Sequence, residues 1–159
     1  MTLPTPLRYP VPATPMELAL AEARAAAARG EVPVGAVVVG ADGAVLAAAG
    51  NRTRELFDPT AHAEVLAIRA ACQVVKAERL IGCDLYVTLE PCPLCATAIS
   101  FARIRRLYFG ALDEKGGAVD SGARLITRPT CHHAPEVYGG MAAGEAAALL
   151  TAFFAARRG

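Results

Sequence analysis

A chain of 159 residues is long enough to bury a real core as one domain. Lysine and arginine number 16 against 15 acidic residues, and the net charge of +1 excludes a generic polyanion binder; any nucleic acid must be met by a local patch. Alanine inflates the hydrophobic fraction of 54%, and no apolar run approaches the roughly 18 residues of a membrane span, so no membrane partner is expected.

Residues 1–15 hold five prolines and no apolar core of a signal peptide, so they read as a flexible tail ahead of a domain over 16–159. Thr14 can cap a helix with Pro15 at its first position and Glu17 at the third. That helix runs to Arg29 and stops at Gly30. Val34 to Val39 is a nearly unbroken apolar strand, expected to be buried on both faces. Ala41-Asp42-Gly43 turns the chain, and Ala44 to Ala49 returns as a second strand. Asp58-Pro59-Thr60 leads into a helix over 61–75. Leu85 to Leu89 is a buried strand, Pro93 to Ala102 a helix, and Arg106 to Phe109 a strand. Residues 113–135 are mostly loop, Glu136 to Tyr138 a short strand, and 142–158 the last helix. Helices alternating with strands predict an α/β fold: a mixed central sheet with helices on both faces. Five cysteines, two of them suited to a metal, point to a reducing, cytoplasmic setting.

The chemistry is concentrated in His62-Ala63-Glu64 and, farther on, Pro91-Cys92-Pro93-Leu94-Cys95. One imidazole and two thiolates suit Zn²⁺, one ion per chain. They fill three tetrahedral positions and leave the fourth for water, as catalytic sites do and closed structural sites do not. Zinc lowers the pKa of a bound water to about 7. Glu64, two residues from His62 and not a ligand, is placed to carry the proton from that water to a leaving amine. A redox Cys-x-x-Cys would want a thioredoxin-like setting, and a structural Cys₄ site would need a second pair, whereas Cys72, Cys83 and Cys131 stand singly. Two helix N-termini at these motifs bring positive dipole ends to the site.

Further segments carry a resemblance: Glu31-Val32-Pro33-Val34-Gly35-Ala36-Val37, Gly50-Asn51-Arg52, Asp58 to Glu64, Leu85 to Cys92, Phe109-Gly110-Ala111, Asp113-Glu114-Lys115, and the ending Phe153-Phe154 with Arg157-Arg158. With them, residues 16–158 resemble the bacterial tRNA-specific adenosine deaminases of the cytidine-deaminase-like superfamily. The resemblance implies a three-layer α/β/α fold around a five-stranded sheet. It implies hydrolytic deamination of adenosine to inosine at the wobble position of a tRNA anticodon, for a tRNA reading arginine codons. It implies a homodimer that takes RNA contacts from both subunits. It puts the zinc ligands on His62, Cys92 and Cys95 and the proton shuttle on Glu64. Asn51 would then hydrogen-bond the flipped purine, beside Val34 and Ala63, and Asp113 would contact the nucleotide's sugar or backbone. Phe154, Arg157 and Arg158 would lie beside the anticodon loop, with Phe153 anchoring the helix in the core.

Gly116 stands where a Thr or Ser often follows the family's lysine, and His132-His133 where an Asn-His pair is common. These departures bear on RNA contact and leave the chemistry intact. Cys131, His132 and His133 do not read as a second metal site, because adjacent side chains on an extended loop point apart. Arg103, Arg105 and Arg106 form a basic cluster that suits RNA, a partner subunit or solvent. Other readings are a free-base or nucleotide deaminase of guanine or cytosine type, which would not need the Phe-Phe and Arg-Arg ending. A non-catalytic RNA-binding subunit should have lost Glu64 or a ligand, and a structural zinc module conflicts with three ligands.

Overall fold

The computed structural model describes residues 13–158. The expected tail therefore lies, as far as residue 12, outside the described residues, while Thr14 and Pro15 already belong to the first helix. Helix α1 (Pro15–Ala28) opens on a capping box: the Thr14 hydroxyl accepts from Glu17 N–H, and the Glu17 carboxylate accepts from Thr14 N–H. It ends at Arg29, and Gly30 turns the chain away at φ 84°.

Five strands form one sheet in the order β2-β1-β3-β4-β5: β1 (Gly35–Val39), β2 (Val45–Gly50), β3 (Asp84–Leu89), β4 (Arg106–Ala111) and β5 (Glu136–Tyr138). β1 pairs antiparallel with β2 and β3, whereas β3–β4 and β4–β5 are parallel. β4 runs two residues past the expected Phe109 because Leu89 still pairs with Ala111. Helices α2 (Ala63–Val75) and α3 (Pro93–Phe101) cover one face. Ala36, Val38, Leu85, Val87, Leu107 and Phe109 meet Ala63, Ala67, Ile68, Ala96 and Ile99 there. Helices α1 and α4 (Ala143–Arg158) cover the other, where Val37, Val39 and Ala111 meet Met16, Ala19, Leu20 and Ala146. The strict alternation along β1 explains its unbroken apolar reading: every residue is buried, odd positions under α1 and even ones under α2. The three-layer α/β/α architecture is that of the cytidine-deaminase-like fold. The long loop over 113–135 contains one short 3₁₀ turn, Leu125–Thr127.

Helix α1 approaches the sheet through glycine. A Cβ on Gly35 would stand 1.9 Å from the Ala19 carbonyl oxygen and 2.7 Å from the Ala23 nitrogen, both helix backbone. Since backbone cannot swing aside as a side chain can, Gly35→Ala is expected to lower stability by about 1–3 kcal/mol through overpacking. A fall in the urea midpoint at unchanged slope is the check.

Candidate active site

Helix α2 begins two residues later than the expected 61, so His62 falls just outside it, whereas α3 begins at Pro93 as expected and leaves Cys92 just before it. His62 is the N-cap of α2 and Cys92 the N-cap of α3, both with extended backbone (ψ 151° and 175°). Pro93 disfavours helical backbone at the residue before it, which holds Cys92 outside the helix. Pro93 itself opens α3, where no N–H is missed. Neither side chain makes the hydrogen bond that caps its helix, so both stay available to a cation. Cys95, one turn into α3, brings the second sulfur to the same point.

His62 Nδ1 lies 3.4 Å from Cys92 Sγ and 3.4 Å from Cys95 Sγ. Nitrogen and sulfur bound to one tetrahedral zinc at about 2.0 and 2.3 Å stand about 3.5 Å apart. Among the described residues this is the one group of histidine, cysteine and acidic side chains close enough to hold a metal ion. Charge makes the same point. The Cys92 thiol is pulled down to about 4, first by the hydrogen bond from Cys95 and then by His62. Cys95 is pushed up, first by donating that bond and then by burial. His62 is pushed up by its bond to Cys92. A thiolate, a thiol and an imidazole so close compete for protons, and a cation in their midst ends the competition by ionising both sulfurs.

Glu64 is 4% exposed in the first turn of α2. Burial pushes its carboxyl above the ordinary value of 4.5, so it holds a proton more readily than a solvated carboxylate. Val32, Val34, Asn51, His62, Glu64, Leu89, Glu90, Cys92 and Asp113 line one cavity of about 240 Å³. Small-molecule pockets typically run about 300–1,000 Å³, so this one is small, of a size for a single heterocycle.

Asn51 follows β2, and its Oδ1 accepts from Ala63 N–H at 2.8 Å. That bond satisfies an orphan donor of α2 and leaves the Asn51 NH₂ to donate elsewhere. Ala63 does not line the cavity: its side chain is fully buried in the core and its N–H is taken by Asn51. Asp113 borders the opposite side, its Oδ1 accepting from Gly116 N–H. A Cβ at Gly116 would come within 2.9 Å of Asp113 Oδ2, so the glycine gives this carboxylate room.

Phe154, Arg157 and Arg158 lie at the end of α4 and not in the cavity. Phe153 is buried, Phe154 is 45% exposed, and the Arg157 guanidinium stacks over the Phe153 ring at 3.4 Å. Arg157 also passes beside Gly30, which puts this helix end near the turn after α1. The basic cluster is largely self-satisfied: Arg105 makes a two-pronged pair with Asp84 and Arg106 pairs with Glu136. His132 packs edge-on against Phe101, while His133 Nε2 lies 2.8 Å from the Ile104 carbonyl oxygen. The two rings diverge, as expected of neighbours on an extended loop.

Two buried carboxylates near the cavity carry no role in the sequence reading. Glu31 accepts from the N–H groups of Arg54 and Glu55 and from the Thr53 hydroxyl, shaping the loop between Asn51 and His62. Glu90 is surrounded by the loop after β4. Their signal was faint: each stands inside an apolar segment, where an acidic residue needs partners.

Residues 12–111 match the cytidine and deoxycytidylate deaminase zinc-binding region. Fold, donor set and match define the class: a zinc-binding deaminase, with zinc as cofactor. Within it, the tRNA-specific adenosine deaminase of Agrobacterium fabrum is 64% identical over 143 residues, 90% of this chain and 93% of the relative. That of Rickettsia bellii is 42% identical over 87% of this chain and 97% of the relative. A structure from a study of A-to-I editing by tRNA:A34 deaminases at the wobble position of transfer RNA is 65% identical. It has a TM-score of 0.84 and covers 86% of this chain and 98% of that one. The chain belongs to the bacterial tRNA-specific adenosine deaminases.

Proposed function

We propose that this enzyme converts adenosine to inosine at the wobble position of a tRNA anticodon, in a tRNA reading arginine codons. The observation that carries the reading is a small cavity bordered by His62 and Cys92 of the metal-ligand cluster and by Glu64, Asn51 and Asp113. Zinc held by His62, Cys92 and Cys95 supplies the Lewis acidity that makes water a nucleophile near neutral pH. Glu64 takes the proton from the water that attacks carbon 6 of adenine and gives it to the departing ammonia. Asn51, its oxygen anchored on α2, offers its NH₂ to an acceptor on the purine edge, and Val34 packs against the ring. Ala63 acts through Asn51. Asp113 meets the sugar or backbone of the flipped nucleotide. Phe154, Arg157 and Arg158 meet the anticodon loop, whose unpaired bases are read by stacking and hydrogen bonds. A base must leave the stack to reach this cavity, and a single-stranded loop makes that extrusion cheap.

An anticodon stem-loop with adenosine at the wobble position is expected to be deaminated efficiently, and free adenosine, guanine and cytidine hardly at all. A lone base forgoes flanking contacts worth several kcal/mol of positioning, on the order of a thousandfold or more in kcat/KM. Inosine mapping on the stem-loop beside small-substrate assays reads the ratio. Turnover of guanine with none on the stem-loop would move the enzyme to the free-base branch. That branch contains the guanine deaminase of Nitrosomonas europaea, 26% identical with a TM-score of 0.74 over 91% of this chain and 85% of that one.

The working unit is a homodimer in a reducing, cytoplasmic setting. The cysteines are all unpaired, as that setting requires. Among the described residues no helix is long and apolar enough to cross a membrane. Light scattering is expected to give twice the chain's 16.5 kDa; a monomeric mass at working concentration would refute the dimer.

A further inference from the structure

We propose that Glu90 is a positioning residue that locks the cavity wall carrying Asp113 against the metal-ligating turn. The proposal rests on the reading of Asp113 as a nucleotide contact. Glu90 follows β3 and immediately precedes Pro91-Cys92. Its side chain is 2% exposed, yet its carboxylate accepts five hydrogen bonds, all from the loop after β4. Oε1 accepts from Asp113 N–H at 3.0 Å and the Ser121 hydroxyl at 2.8 Å. Oε2 accepts from Val119, Asp120 and Ser121 N–H at 3.0, 2.9 and 2.9 Å. None of these donors carries a charge. The carboxylate is therefore not half of an ion pair; it organises a backbone loop, gathering four N–H groups that would otherwise need water or secondary structure.

The loop is shaped to receive it. A Cβ on Gly117 would fall 2.5 Å from Glu90 Cδ and 2.6 Å from the Asp113 carbonyl oxygen, so only glycine lets the chain close around the carboxylate. Ala118 N–H adds a bond to the Pro91 carbonyl at 2.9 Å, fastening the loop to the segment that carries Cys92. Asp113 thus has its own N–H bonded to Glu90, and its place relative to the metal site is set by one buried side chain. A well-packed apolar residue would serve stability alone at smaller desolvation cost. Five convergent acceptor bonds serve to fix one loop conformation.

The test uses the zinc-loaded full chain as wild type, Glu90→Gln, Asp113→Ala and the double variant. Glutamine keeps the shape but turns one acceptor into a donor facing donors. Amide exchange in peptides spanning residues 113–121 is expected to accelerate about tenfold or more, with α2 unchanged. In single-turnover deamination of the stem-loop, the half-saturating concentration should rise about tenfold while the limiting rate falls less than about threefold. The double variant should bind as Asp113→Ala does, within about twofold, because Glu90 acts through Asp113. Gly117→Ala, which keeps the carboxylate but displaces the loop, should reproduce the binding defect if Glu90→Gln folds poorly. Unchanged exchange, defects that multiply in the double variant, or loss of zinc would each overturn the proposal. A wild type inactive on the stem-loop would instead overturn the substrate reading, and exchange would still decide whether Glu90 holds the loop.

Discussion

Glu64→Ala will keep about one zinc per chain and its fold, and will lose single-turnover deamination by at least about a thousandfold. One positioned proton transfer contributes typically 10²–10⁴-fold, and Glu64 is assigned two, from the water and to the leaving amine. The residue is 4% exposed, in the first turn of α2 beside the His62, Cys92, Cys95 cluster. Burial raises its proton affinity above that of a solvated carboxylate, which suits a group that must both accept and return a proton near neutrality. Glu64→Gln preserves the shape and should fall equally far, since an amide cannot carry the proton. Elemental analysis and rapid-quench kinetics on the stem-loop read the two halves separately. More than about a tenth of the wild-type rate in either variant would remove Glu64 from the mechanism.

The metal site was legible because its signals are local. Three donors and two prolines fall within short segments, and Pro93 alone predicts that Cys92 leaves helical backbone. What escaped was the start of α2, two residues later than the expected 61, which makes His62 a cap and not a first-turn residue. Helix boundaries depend on hydrogen bonds that no pattern of side chains displays. The fold was legible for a similar reason. β1 is apolar at every position because it is covered on both faces, and the capping box at Thr14 and Glu17 marks the start of α1.

The supports of the site were not legible. Glu31 and Glu90 each bind a loop that lies more than 20 residues farther along the chain, and nothing local announces such a partner. The Arg103, Arg105 and Arg106 cluster stays open in sequence between RNA, a partner subunit and solvent; Asp84 and Glu136, distant along the chain, pair with two of its members. Ala63 was expected beside the base and proved to be a core residue whose N–H holds Asn51. In each case the missing information is a long-range polar contact, which lacks the periodicity of hydrophobic burial.

Cys92→Ser and Cys95→Ser will each lose zinc and, with it, activity by at least about a hundredfold. A serine hydroxyl stays protonated at neutral pH, so each change removes an anionic soft donor from a three-ligand set that has no spare. Cys92 is already held down to about 4 by its neighbours; its thiolate is prepared before metal arrives. Cys95 is fully buried, and its bond to Cys92 pushes its thiol up. Binding must displace the protons that the pair still holds, so affinity weakens as pH falls. Chelation of the wild type should abolish activity reversibly and lower the melting temperature, because a ion bound only by the folded state stabilises it by mass action. Added zinc should restore both in the wild type and neither in the serine variants. Full activity in protein shown by elemental analysis to be free of metal would end the mechanism. A serine variant that melts with the chelated wild type, and not below it, would assign its whole defect to the lost metal.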